Sequence, residues 1–152
     1  LGDPQRECTC TDGEIRRYGQ KISGPLLDRI DLHVSVMRPK YSELTATIQG
    51  EPSCDIAKRV AEARAVQAER LSRWHMQSNA QMGHRQLKET CQLDAEGTEM
   101  LRVVFEKLHL SARSYDRIIK VARTIADLAG SDQIRPEHVA EAISFRNMIN
   151  GK

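Results

Sequence analysis

SARSYDRIIKVARTIADLAG, residues 111–130, reads as one complete helix with both of its ends written into it. Ser111 is a residue type whose hydroxyl accepts from a free N–H of the first helical turn. After it, Tyr115, Ile118, Ile119, Ala122, Ile125, Ala126 and Ala129 recur at spacings of three and four, a stripe that has to be buried. Gly130 follows the last of them, where left-handed backbone ends a helix. A stripe this broad needs other helices to cover it.

The flanking sequence supplies them. Pro136 suits the first position of a final helix that buries Val139, Ala142 and Ile143. Upstream, Asp94 is placed to cap a helix carrying Leu101, Val104, Phe105 and Leu108 on one face. A short helix is expected over Met82–Thr90. A long one is expected from Ser53, as its cap, to about Trp74, with Asp55 in the first turn and Ile56, Val60, Ala63, Gln67 and Leu71 on one side.

The first 50 residues read differently. Residues 1–24 show no sustained period, and then Ile30, Leu32, Val34 and Val36 alternate with Asp31, His33, Ser35 and Met37, which predicts a strand with one buried face over 30–37. A lone strand has no partner for its backbone groups. It is therefore expected to belong to a sheet outside this chain, and here to fray or to lie against the helices. The fold class that follows is mainly α: a small helical bundle over 51–150, preceded over 1–50 by a loop-rich arm with one left-over strand.

Composition agrees with that class. The chain has 152 residues, 39% hydrophobic, 4% aromatic and 29% charged, as befits an aliphatic helical core. A net charge of +2 is too small to imply nucleic-acid binding by itself. No apolar run approaches the roughly 20 residues that span a bilayer, so no membrane partner is expected. The chain opens at Leu1 in a polar, turn-like stretch (Gly2, Asp3, Pro4) and is read as part of a longer protein. Its four cysteines (Cys8, Cys10, Cys54, Cys91) are too sparse for a disulfide scaffold and point to a reducing cytoplasm.

Chemistry is harder to place. A phosphate-binding loop needs Gly-x-x-x-x-Gly-Lys-Ser/Thr, because backbone N–H groups and the lysine hold the phosphates. Gly19 and Gly24 have the first spacing, but Pro25 and Leu26 follow instead. No nucleotide hydrolysis is expected of this chain alone. Cys8 and Cys10 form a Cys-x-Cys pair that could contribute to a zinc site, although structural zinc takes four ligands and two reduced thiols are the simpler reading. The long helix carries Lys58, Arg59, Arg64, Arg70 and Arg73 against Asp55, Glu62 and Glu69, which could form a nucleic-acid or intersubunit face. With Asp55 placed to pair with Arg59 and Trp74 the main aromatic nearby, a solvated face is favoured over a nucleic-acid face. The histidines show neither metal-ligand spacing nor a nucleophile partner.

The string KISGPLLDRIDL (21–32), with SARSY (111–115) and RTIADLAG (123–130), resembles the magnesium-chelatase-like AAA+ ATPases, and within them the ComM/YifB family. Cys8-Thr9-Cys10 followed by Arg16, Arg17 and Tyr18 fits the same branch. The likeness runs from about Gly2 to Arg146.

This resemblance implies that the bundle is the AAA+ lid. It places Arg29 where the family has its arginine finger, reaching in trans to a neighbour's γ-phosphate. From the residues alone, an ion pair of Arg29 with Asp28 or Asp31 is the simpler reading. Arg113 falls where the lid's sensor-2 arginine stands. A cation in the first turn opposes the helix dipole, which makes sense if a phosphate visits the site; otherwise Arg113 is a solvated surface residue. A second cysteine pair upstream would complete a four-cysteine zinc site with Cys8 and Cys10. The whole protein would bind ATP and Mg2+, assemble with copies of itself as a hexameric ring, and act on DNA as a helicase of branch migration in recombination and natural transformation. The alternatives are the ATPase subunit of a magnesium chelatase, placing Mg2+ in a porphyrin, and a helical protein-interaction module.

Overall fold

Ser111 accepts from the Ser114 N–H at 3.1 Å and so opens α7, Ala112–Leu128, the helix around which the others pack. The computed structural model describes residues 8–45 and 50–146. α7 ends as its glycine demands: Gly130 adopts φ +66°, its N–H donates to Asp127 O (3.1 Å), and the Ser131 N–H reaches Ala126 O (2.8 Å). That pair of bonds is a Schellman closure.

Three further helices and half of a fourth cover α7. α8, Pro136–Ser144, starts with its proline in the first turn and packs along α7. α6, Ala95–Lys107, is capped by Asp94, whose Oδ1 accepts from the Gly97 N–H at 2.7 Å, and packs on α8. A Cβ at Gly97 would lie 3.0 Å from that oxygen and 3.6 Å from Val139 Cγ2, so glycine lets the cap and α8 approach together. α4, Ser53–Leu71, and α5, His84–Thr90, close the remaining sides, joined by two short 3-10 turns. The core is aliphatic: Leu71, Met82, Leu101, Ile118, Ala122 and Val139 are almost wholly buried.

Some expectations shift by a turn or a face. Pro52, not Ser53, is the α4 cap, and no side chain bonds the free N–H groups there. Ala63, Gln67 and Leu71 are buried, but Ile56 and Val60 are exposed, because no described element packs on the first half of α4. Arg59 pairs with Glu51 (2.5 and 3.0 Å) rather than Asp55. Met82 sits in the core ahead of α5 instead of opening it, and Ala129 is exposed.

The arm holds short helices that the aperiodic sequence concealed: α1 (Asp12–Gly19), α2 (Gly24–Leu27) and α3 (Tyr41–Leu44). α1 buries nothing; it rests on a reciprocal cap in which Glu14 accepts from the Thr11 N–H (2.8 Å) and Thr11 Oγ1 accepts from the Glu14 N–H (3.4 Å). Residues 30–37 do not form the expected strand. No edge among the described residues pairs with them, and the alternating apolar side chains stay open, Val36 at 89% exposure. Only the start of the segment lies on the bundle.

Candidate functional site

The site is where the start of that segment meets the N-terminus of α7. Ser23 caps α2, its hydroxyl accepting from the Leu26 N–H (3.4 Å), and the chain turns tightly through Asp28 to Ile30. The turn delivers Asp28 to α7. Ser114 Oγ donates to Asp28 Oδ1 at 2.7 Å and Ser111 Oγ donates to Oδ2 at 2.8 Å. A carboxylate at a helix N-terminus also suits the dipole. These two hydroxyls, Ser114 first, hold the Asp28 carboxyl below the usual carboxylate range, helped by the charges of Arg146 and Arg113 against the cost of partial burial.

Two arginines of the bundle take the backbone that follows. Arg117, on α7, donates from Nη1 to the carbonyl of Arg29 (2.7 Å) and also bonds Asp31 Oδ1. Arg146, just past α8, donates from Nη1 to the carbonyl of Ile30 (2.7 Å) and from Nη2 to Ser114 Oγ (3.1 Å). The His33 N–H reaches Phe145 O at 2.9 Å. The His33 ring nitrogens are shielded from solvent and have no partner among the described residues.

Arg29 is thereby fixed by its backbone and left free at its head. Both flanking carboxylates are taken, Asp28 by two serines and Asp31 by Arg117, and the exposed guanidinium has no partner among the described residues. Arg113 is likewise exposed, in the first turn of α7. With His84, Phe105, Tyr115 and Asp116 it lines an open hollow of about 510 Å3. Phe105 and Tyr115 meet edge to face with centroids 6.1 Å apart, and His84 Nδ1 lies 3.0 Å from Asp116 Oδ1. The α7 N-terminus thus gathers Arg113 and the turn bearing Arg29 in one region.

Cys8 and Cys10 stand apart from this junction, exposed, just before the α1 cap. The Cys10 backbone N–H, then its thiol, hold the Cys8 thiol below its ordinary value; Cys10 is raised in turn by its bond to Cys8 and by the Cys8 charge. No group of three or more His, Cys, Asp or Glu among the described residues could hold a metal ion, so the pair offers two ligands of the four a structural zinc takes.

Sequence reading missed Ser114, Arg117 and Arg146, whose partners in the arm lie more than 80 residues away. It also missed a buried polar network along α7. Arg123 is 2% exposed and donates to Asp127 Oδ1 (3.0 Å), Asp132 O (2.8 Å) and Ser131 O (2.5 Å). Arg70 donates to both Asp127 oxygens (2.8 and 2.7 Å), and Asn79 to one (2.8 Å). Arg123 and Asp127, four apart on the buried side of the helix, were a legible signal of a paired core charge. Arg70 therefore belongs to the core rather than to a basic surface, and Arg73 covers the Trp74 ring at 3.7 Å.

The bundle, with two exposed arginines and a docked arm beside the N-terminus of α7, has the build of a small helical lid domain. Family models agree: residues 50–146 match magnesium chelatase, subunit ChlI C-terminal, and residues 1–44 match magnesium chelatase, subunit ChlI. The chain belongs to the magnesium chelatase subunit ChlI C-terminal family. It is 38% identical over 137 residues to competence protein ComM of Haemophilus influenzae, covering 90% of this chain and 26% of that protein. It is 37% identical over 138 residues to the uncharacterised protein YifB of Escherichia coli, with the same coverage, and 37% identical over 144 residues to a Mycobacterium bovis protein, Mb2921c, covering 95% of this chain and 28% of that one. The chain thus spans about a quarter of the length of the relatives it matches.

Proposed function

We propose that this chain is the lid and finger-bearing part of an ATP-driven AAA+ motor that works in the cytoplasm as a hexameric ring of identical subunits on DNA, and that it is inactive alone because it lacks a phosphate-binding loop. The observation that carries the reading is Arg29: exposed, unpaired among the described residues, and flanked by two carboxylates already engaged elsewhere. A guanidinium kept free on a fixed backbone suits a group that meets a neighbouring subunit's γ-phosphate and stabilises charge in the transition state. Arg113, in the first turn of α7 beside an open hollow, is placed to meet a phosphate from the lid side. ATP and Mg2+ supply the reacting phosphoryl group and its charge neutralisation; within this chain, Arg29 and Arg113 are the groups that would face them. Zinc enters only if two further ligands join Cys8 and Cys10.

The apolar residues support a larger assembly. Among the described residues, all but one of the large exposed hydrophobic side chains lie at or before Val66, in the arm and along α4; the exception is Leu128. DNA as the substrate follows from the resemblance of the KISGPLLDRIDL and SARSY strings to the ComM/YifB family, and a competence protein stands among the relatives. The family description favours a second reading, an ATPase that remodels a partner for Mg2+ insertion into a porphyrin.

ATP hydrolysis by the full-length protein, with and without single-stranded DNA, separates these for wild type and Arg29→Ala. The expected result is DNA-stimulated hydrolysis that falls by about 10³-fold or more in the variant. Hydrolysis indifferent to DNA but lost in the variant would move the assignment to partner remodelling. A variant as active as wild type would remove the finger.

A further inference from the structure

The bonds around Arg29 divide the residue in two. Its carbonyl, the side chain before it and the carbonyl after it are all held by the bundle, through Arg117, through Ser111 with Ser114, and through Arg146. Its guanidinium is held by nothing among the described residues. Arg117 is the most telling of these contacts. Its side-chain partners among the described residues, the Arg29 carbonyl and the Asp31 carboxylate, both lie in the arm, and its side chain is only 26% exposed. It commits a charged side chain to one turn of backbone and contributes no hydrogen bond to the bundle among the described residues.

We infer that Arg117 is a positioning residue for Arg29, so that the orientation of the lid, rather than the arm alone, sets where the Arg29 guanidinium stands. This rests on the reading of Arg29 as the group that acts on a neighbour's nucleotide. Arg113 and Arg117 are one turn apart on α7, about 6 Å of rise. A movement of α7 that answers a phosphate at Arg113 therefore carries Arg117, and with it the Arg29 backbone, as one rigid piece. Asp28 strengthens the link because its two serines are the cap and a first-turn residue of that helix. The nucleotide met by the lid and the nucleotide met by the finger become coupled through a single helix.

The test uses the full-length assembled protein. kcat and KM for ATP are measured for wild type, Arg29→Ala, Arg117→Ala and Arg117→Lys, together with the thermal midpoint of each. Arg102→Ala, which removes a surface pair of α6 with Glu99 and Glu106, serves as the control expected to match wild type. Displacing a catalytic group by about 1 Å costs on the order of 10²-fold. Arg117→Ala is therefore expected to lower kcat about 10- to 100-fold with KM within threefold, because a finger acts in the transition state. Its thermal midpoint should stay near wild type, and Arg117→Lys should recover part of kcat, since an ammonium reaches one of the two acceptors but does not fork between them. A wild-type kcat in Arg117→Ala beside a dead Arg29→Ala overturns the inference and leaves the finger standing. A wild-type kcat in Arg29→Ala overturns the finger and the inference together. A loss that appears mainly in KM, or that tracks a fall in thermal midpoint in both Arg117 variants, assigns Arg117 to nucleotide binding or to folding and overturns the positioning role.

Discussion

Asp127 keeps a full charge where no water reaches it. Its side chain is 0% exposed, between Arg70, Arg123 and the Asn79 amide. Burial opposes the carboxylate, but the hydrogen bonds from Arg70 and Asn79 and the charges of both arginines outweigh it and leave the group below the usual carboxylate range. A depressed folded-state value means that stability is present above the unfolded value, about 3.9, and is lost as pH falls through the folded one. Asp127→Ala leaves two cations uncompensated, one of them (Arg123) 2% exposed, and is expected to cost about 3–5 kcal/mol at pH 7. The same denaturant titration repeated from pH 7 to pH 3 should show wild type losing stability below about pH 4 and the variant losing less. An equal acid-side fall in both proteins would place the sensitive carboxylate elsewhere.

Among the elements, α7 shows how far a pattern in one stretch of chain carries. Its cap, its stripe and its closing glycine were all readable, because each rests on neighbours within four or five residues. Gly130→Ala tests the closure by itself. A Cβ there meets nothing within 4 Å, so the only cost is the left-handed backbone, about 1–2 kcal/mol, read as a lowered denaturation midpoint with an unchanged slope. No change would mean that the closure does not limit stability. α1 was illegible for the opposite reason: it buries no residue and leaves no stripe, only the Thr11 and Glu14 cap. The alternation over 30–37, expected to belong to a sheet outside this chain and here to fray or lie on the helices, forms no strand among the described residues, since a strand exists only where another edge supplies its hydrogen bonds.

For the whole molecule, every buried residue described lies between Ala63 and Ile143, and none lies in the arm. The arm is held at its described contacts by polar bonds to Ser111, Ser114, Arg117, Arg146 and Phe145, groups that water can satisfy once it is gone. Removing residues 1–45 is therefore expected to leave a cooperative thermal transition in the bundle, with at most a modest shift of its midpoint. A broad, non-cooperative melt after the deletion would mean that the arm is part of the folding unit.

Taken by itself, the sequence determined the helices from α4 to α8, most of their caps and stops, and the family, because helix periodicity, capping and short strings are properties of neighbouring residues. Tertiary structure alone decided which charges are engaged and which are free. Arg29, Arg113, Arg117, Arg123 and Arg146 are the same residue type in the sequence, yet one is buried in an ionic core, two grip backbone carbonyls of the arm, and two stand exposed. The difference lies in contacts made across long stretches of chain, such as Asp28 with Ser114 and Arg146 with Ile30, and packing α7 and α8 together is what brings those groups within 3 Å of one another.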